Sequence, residues 1–223
     1  MNADMLRQWS QLHDGYDVDR SRVVRSWLRF VHAIAAPAAR LRVSPTAVTC
    51  VGVALAATAV AASAPVAALL VLLTAVCDGV DGAVALQRGI AGRPRGTSID
   101  HVADRVTDLL FAAVLWHAGA AWPVAAAAAV ATVGYEALRS QMRRSQQQLS
   151  VVTVAERPFR VVVVVVGVLV APLVAAWILV VAAVAASASL TRVGHRHRND
   201  VAMTRGAHDG SHQLEEDNDA AST

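Results

Sequence analysis

The chain has 223 residues, enough for one or two domains, with hydrophobic residues at 55% and aromatics at only 4%. The apolar mass is therefore Ala, Val and Leu in long runs, a composition that suits packed membrane helices with small-residue interfaces. All 20 basic residues are arginine and the net charge is only +3; the charges sit in clusters between apolar runs, which argues against a nucleic-acid binder.

Arginine without lysine in an Ala/Val-rich chain points to a GC-rich, bacterial genome. Cys50 and Cys77 lie inside apolar runs and read as small core residues, not as a disulfide or a metal pair. The polar start of the chain shows no early apolar core of a cleavable signal.

In chain order, residues 1–20 form a polar N-terminal segment. In residues 21–42, Arg22, Arg25 and Arg29 fall at helical spacing opposite much of the apolar set. This predicts an amphipathic helix lying on a membrane surface. A span needs about 20 residues. Candidate spans are 44–63, closed by Ser63-Ala64-Pro65; 66–87; Ile99 to Ala118, after a basic, Gly-rich loop at 88–97; and Trp122 to Met142. The apolar run 159–190 is broken by Pro172 and reads as two spans tightly joined there. The tail, residues 196–223, is polar and expected to be disordered. The expected fold is an all-α integral membrane bundle of six transmembrane helices within residues 43–195, preceded by the surface helix.

Arginine placement orients this bundle. The loops near residues 64, 119 and 172 carry no arginine. The positive-inside rule then puts both termini and the 88–97 and 143–157 loops in the cytoplasm, in a multi-pass protein of the cell membrane.

The stretch from Cys77 to Asp108 carries the chemistry. Asp78 and Asp81 are three residues apart on the second span; Asp100 and Asp104 are four apart at the start of the third. Each pair occupies one helix face. The linking loop is short, so the helices are antiparallel neighbours and their carboxylates meet. One charge inside a span costs at least ~2.5 kcal/mol. Four of one sign also repel, and hard divalent cations with oxygen ligands supply the counter-charge. Asp78, Asp81, Asp100 and Asp104 are therefore candidate metal ligands, beside a basic loop that suits phosphate. Helix caps and interhelical ion pairs explain any one of these aspartates, but poorly explain all four on facing helices. Asp108, one turn further on, is expected to pair with an arginine. Gly82 leaves room for a backbone or a ligand, and Ala83 and Ala85 keep that region thin.

Asp78-x2-Asp81-Gly82-x2-Ala85, followed by Gly96-x3-Asp100-x3-Asp104, resembles the signature of the CDP-alcohol phosphatidyltransferases: D-x2-D-G-x2-A-R, then G-x3-D-x3-D. Leu86 stands at the usual arginine, and Arg88 follows two residues later. Ser44-Pro45-Thr46-Ala47-Val48-Thr49 resembles the family's P-N-x-x-T stretch, with Thr46 at the usual asparagine. The six-span reading agrees with that family's architecture.

The resemblance implies a phospholipid-synthesising transferase. A hydroxyl of an acceptor attacks the β-phosphorus of CDP-diacylglycerol and CMP leaves, with two divalent ions, Mg2+ or Mn2+, on the diphosphate. Asp78, Asp81 and Asp100 are then mainly ligands. Asp104 is both a ligand and the candidate general base. Thr46, Thr49, Gly82, Ala85, Arg88 and Gly96 are expected at the CDP-lipid.

The acceptor rests on arginines. Tyr135-x3-Arg139 and Glu156-Arg157 resemble stretches of family members that use phosphorylated acceptors. A guanidinium fork suits a phosphate monoester. Arg139, Arg157 and Arg160 are the candidate acceptor-phosphate residues, and Glu136 is expected to pair with one of them. Glycerol 3-phosphate is the first choice, and an inositol phosphate the second. Arg143 and Arg144 read as positive-inside anchors, and His195 and His197 as part of a solvated tail. The expected partners are CDP-diacylglycerol, a phosphorylated polyol and the bilayer, with a homodimer permitted by the small-residue spans.

Two other readings exist. A cation-conducting protein wants acidic residues at the membrane midplane, whereas here they collect at one face beside an arginine loop. A non-catalytic relative that keeps the fold is encouraged only by Leu86.

Overall fold

The computed structural model describes residues 22–91, 94–144 and 157–191, with the side chains of 25–91, 99–142 and 158–191. The expected polar start, the tail, Glu156, His195 and His197 lie outside the described residues, as do the side chains of Arg143, Arg144 and Arg157. Everything described is helical or connects helices. The helices are α1 (Arg22–Arg40), α2 (Pro45–Val60), α3 (Ala64–Gln87), α4 (Pro94–His117), α5 (Trp122–Arg144), α6 (Arg157–Val170) and α7 (Pro172–Thr191).

Proline sets the starts. Of the 7 prolines, six stand in the first two positions of α2 to α7: Pro45, Pro65, Pro94, Pro123, Pro158 and Pro172. There the ring supplies a helical φ, and the missing N–H would have had no partner anyway. The third span therefore begins at Pro94, and Gly96 belongs to the first turn of α4, not to a loop.

Left-handed residues set three of the ends. Gly89 (φ 62°) and Gly119 (φ 118°) follow α3 and α4. In each case the next amide reaches back five residues: Ile90 to Ala85 O at 3.0 Å, and Ala120 to Leu115 O at 2.9 Å. This is the Schellman arrangement, which satisfies the last carbonyls of a helix. Arg42 (φ 56°) plays the same part after α1, with Val43 N reaching Ala38 O at 2.9 Å. A side chain in that conformation costs about 1 kcal/mol. The turn is held from α3, where Arg88 Nη1 donates to Val43 O at 3.0 Å and to Arg42 O at 3.4 Å.

Helix α3 is the centre of the bundle. It packs against α1, α2 and α6, while α4 packs against α2, α5 and α6. The main core joins Ala56 and Ala59 of α2, Val71 of α3, Val114 and Leu115 of α4, Val164 of α6 and Ala176 of α7. A second cluster joins Tyr135 and Met142 of α5 to Ala183, Ala186 and Leu190 of α7. A third seats Val31 and Ala35 of α1 on Val80, Ala83 and Val84 of α3. Gln87 Nε2 fastens the same contact, donating to His32 O at 3.2 Å and lying 3.2 Å from His32 Nδ1. Burial holds the His32 ring below its usual pKa, so it stays neutral and can accept at Nδ1.

The run expected to hold two joined spans does break, at Ala171. Helices α6 and α7 then return on each other so closely that a β-carbon at Gly167 would collide with that of Ala175. Two helices, α3 and α7, are long and apolar enough to cross a membrane on their own composition. Helices α2 and α6 are apolar but shorter, at 16 and 14 residues. Helices α4 and α5 carry the charges described below. Large apolar side chains nevertheless face outward, among them Leu69 and Leu72 of α3, Val162 and Val166 of α6, and Val181 and Val184 of α7. An exposed apolar surface of this extent is unusual in a soluble monomer.

Candidate active site and metal centre

The site forms where the end of α3 passes the start of α4. Thr74, Asp78 and Asp81 recur at i, i+4 and i+7 on α3. Asp100, Asp104 and Thr107 do the same on α4. That spacing puts each set along one helix face. Together with Thr49, Gly52 and Val53 of α2, and Ala103 of α4, these side chains line one cleft, except that Asp100 stands at its edge with the carboxylates.

Asp78, Asp81 and Asp100 each present an oxygen, all within 4.8 Å of one another. Asp104 lines the same cleft one turn beyond Asp100. Asp81 is 5% exposed, the deepest of the set. Two unit charges at about 5 Å repel by roughly 3 kcal/mol at an effective dielectric near 20. The cluster is thus built for a positive guest. Oxygen-only donors suit hard cations such as Mg2+ or Mn2+. Donors on a magnesium-sized ion lie about 2.1 Å from it and at most about 4.2 Å apart. The three oxygens, within 4.8 Å of one another, need only a small carboxylate rotation to converge on one ion, so the residues present fit a divalent ion.

Close helix approach creates this crossing. A β-carbon at Gly52 would stand 3.1 Å from Cys77 Cβ, and Thr74 Oγ1 donates to Gly52 O at 3.2 Å. On the other side of α3, a β-carbon at Gly79 would stand 3.0 Å from Val31 Cγ2. Gly79 thus admits α1 directly between two of the aspartates. Gly82 differs: among the described residues nothing lies within 4 Å of its absent β-carbon. It leaves open space beside Asp81. The sequence reading did not single out Gly52, Gly79, Thr74 or Thr107. For Gly52, Thr74 and Thr107, helical spacing from Thr49, Asp78, Asp81 and Asp100 was the available signal; Gly79 lies on the opposite face of α3 and offered none.

Thr49 Oγ1 donates to Asp81 Oδ2 at 2.6 Å. Thr46 and Ala85 are half-buried. Arg88, expected at the CDP-lipid, directs Nη1 to the α1–α2 turn.

Behind Asp104 lies a second charged group. Arg160 of α6 donates to Asp108 of α4 through Nη1 and to Glu136 of α5 through Nη2, both at 2.7 Å. Arg105 stands 4.0 Å from Asp108 and 3.8 Å from Glu136. The arginine partners expected for Asp108 and Glu136 are thus present. Arg160 is buried, and its Nε has no partner among the described residues. Arg139 is half-buried on α5, one turn beyond Tyr135, which is 1% exposed.

A family model described as CDP-alcohol phosphatidyltransferase matches residues 42–188. The chain belongs to this family. As a CDP-alcohol phosphatidyltransferase family enzyme, it carries Asp78, Asp81, Asp100 and Asp104 within the matched region. No curated protein sequence matches the chain. Among solved structures, the chain is similar to the phosphatidylinositol phosphate synthase of Mycobacterium tuberculosis in complex with manganese and citrate. That similarity has a TM-score of 0.62 at 23% identity and covers 73% of this chain and 88% of the other. The same synthase with CDP-DAG bound gives a TM-score of 0.63 at 23% identity, covering 74% of this chain and 93% of the other. At that identity the likeness is one of fold.

Proposed function

We propose that this enzyme moves a phosphatidyl group from CDP-diacylglycerol to a phosphorylated polyol, releasing CMP. The observation that carries the reading is the meeting of Asp78, Asp81 and Asp100 within 4.8 Å in a chain of this family. Support for the donor comes from the similar synthase, whose structure has CDP-DAG bound.

Asp78, Asp81 and Asp100, with Asp104 beside them, would hold divalent metal, which when bound would supply positive charge to the donor's diphosphate. The protein's own part is positioning and proton transfer. Asp104 accepts the proton of the acceptor hydroxyl. The hydroxyl oxygen forms a bond to the β-phosphorus as the bond from that phosphorus to CMP breaks. Gly82 leaves space for the donor beside Asp81, with Thr46, Ala85, Arg88 and Gly96 around it. Arg139 and Arg157 serve the acceptor phosphate, which a guanidinium recognises in paired hydrogen bonds; Arg160, with Nη1 and Nη2 donating to Asp108 and Glu136, offers its Nε.

Glycerol 3-phosphate is the first acceptor proposed. An inositol phosphate is the second, favoured by the similar fold of a phosphatidylinositol phosphate synthase. Helices α2 to α7 cross the bilayer of a bacterial cell membrane, α1 lies on its surface, and the aspartates face the cytoplasm. The arginine-free loops near 64, 119 and 172 support that orientation. The small-residue helices also permit a homodimer.

The test is product analysis. Purified protein with CDP-diacylglycerol, Mg2+ or Mn2+, and a panel of acceptors should release CMP and yield one phosphorylated phospholipid by mass spectrometry. CMP release with neutral alcohols only would overturn the acceptor class. Failure with every acceptor, alongside metal flux in liposomes, would overturn the transferase reading.

A further inference from the structure

We infer that Thr49 is a positioning residue for the metal centre, holding the Asp81 carboxylate through its hydroxyl rather than contacting the CDP-lipid. The inference rests on the reading that the aspartates hold a divalent ion.

Thr49 Oγ1 lies 2.6 Å from Asp81 Oδ2 and 3.1 Å from Pro45 O. A hydroxyl has one proton to give. The shorter contact falls in the range of a charge-assisted O–H···O bond, so the proton goes to the carboxylate. Pro45 opens α2, which puts Thr49 one turn inside the helix on the face that meets α3. Gly52, one further turn along, lets that face approach until a β-carbon would meet Cys77 Cβ at 3.1 Å. Thr74 spans the same crossing, but the acceptors within reach of its hydroxyl are the Leu70 carbonyl at 2.9 Å and the Gly52 carbonyl at 3.2 Å. Of these two threonines, only Thr49 bonds a candidate ligand.

Asp81 is 5% exposed, so water cannot readily replace the donor. The hydrogen bond to Oδ2 thereby fixes the carboxylate's rotation as it faces the cluster. Partners of this kind, behind a metal's direct ligands, typically contribute about 10–100-fold to metal affinity.

The experiment titrates Mn2+ into purified full-length protein without substrate and follows free Mn2+ by electron paramagnetic resonance. Thr49→Val keeps the shape and removes the donor. It should weaken Mn2+ binding by roughly tenfold or more, while Thr49→Ser stays close to the unaltered protein. Circular dichroism checks that each variant is folded. If Thr49→Val does not fold, Thr49→Cys, with a weaker donor, should bind Mn2+ less tightly than Thr49→Ser. Unchanged Mn2+ affinity in Thr49→Val, or in Thr49→Cys where that variant decides, overturns the inference. So does an effect confined to the KM for CDP-diacylglycerol. Asp81→Asn is the control. If it too leaves Mn2+ binding intact, the metal reading falls with the inference. If it abolishes binding while the threonine variants do not, the inference about Thr49 alone falls.

Discussion

Arg160 and Asp108 meet at 2.7 Å with both side chains almost fully enclosed, 7% and 3% exposed. Glu136 completes the group at 2.7 Å. Three helices, α4, α5 and α6, are tied at one point, a single turn from Asp104. Removing one member of a buried ion pair leaves an uncompensated charge, which costs about 3–5 kcal/mol. Arg160→Leu removes the cation closest to both carboxylates and leaves Arg105 at 4.0 and 3.8 Å from them. Its thermal midpoint in detergent should fall sharply without any ligand present. Replacing Asp108 and Arg160 together by Leu and Met should recover much of that loss. A merely acceptor-binding Arg160 would show neither effect in the ligand-free protein.

Gly79 and Gly82 flank Asp81 and make opposite predictions. A β-carbon at Gly79 meets Val31 Cγ2 at 3.0 Å and Cγ1 at 3.2 Å. Gly79→Ala should destabilise α1 docking by about 1–3 kcal/mol, as overpacking does. Val31→Ala should restore much of it, a coupling readable in a double-mutant cycle. Gly82→Ala meets no atom of the described residues within 4 Å and replaces a poor helix former. It should leave the thermal midpoint equal or higher, while the KM for CDP-diacylglycerol rises. An unchanged KM would show that no ligand needs that space.

Much of this arrangement is legible in residue order, for stated physical reasons. Proline at the first turn marks the starts of α2 to α7, and the glycine at 89 marks the end of α3. The paired aspartates declare their helix faces through their spacing. Arg42 was not legible, because only tertiary support from Arg88 makes a left-handed arginine tolerable there. Nor was the direction of Arg88: its position invites a phosphate contact, and only the fold shows the α1–α2 turn within reach. The Arg160 pair was foreseen in part. Glu136 and Asp108 each needed a cation, but the meeting of both on one guanidinium depends on how three helices pack. Six spans were expected; among the described residues α3 and α7 meet length and apolarity alone. Helices α4 and α5 carry charges, and α2 and α6 are apolar but shorter.

The aspartates separate by assay. Asp78→Asn and Asp81→Asn should weaken Mn2+ binding measured without substrate, and activity should fall with it. Asp104→Asn should lower kcat by about 10²–10⁴-fold, the range for loss of a general base, while the protein stays folded and loses less Mn2+ affinity than Asp78→Asn or Asp81→Asn. Chelation should abolish CMP release, and added Mg2+ or Mn2+ should restore it. Full turnover by Asp104→Asn would remove it from proton transfer.

Arg139 distinguishes the acceptor class. It sits on α5 one turn beyond Tyr135, on the helix that also carries Glu136. A guanidinium that pairs with a phosphate contributes about 1.5–3 kcal/mol as a charge-assisted bond. Arg139→Gln should therefore raise the KM for the phosphorylated acceptor by roughly 10–100-fold, with the KM for CDP-diacylglycerol little changed. Competition gives a second readout: inorganic phosphate should inhibit the unaltered enzyme against the acceptor, and this inhibition should weaken in Arg139→Gln. An equal rise in both KM values would mean that Arg139 supports the site as a whole. Such a result would move acceptor recognition to Arg157 and to the buried Nε of Arg160, which has no partner among the described residues.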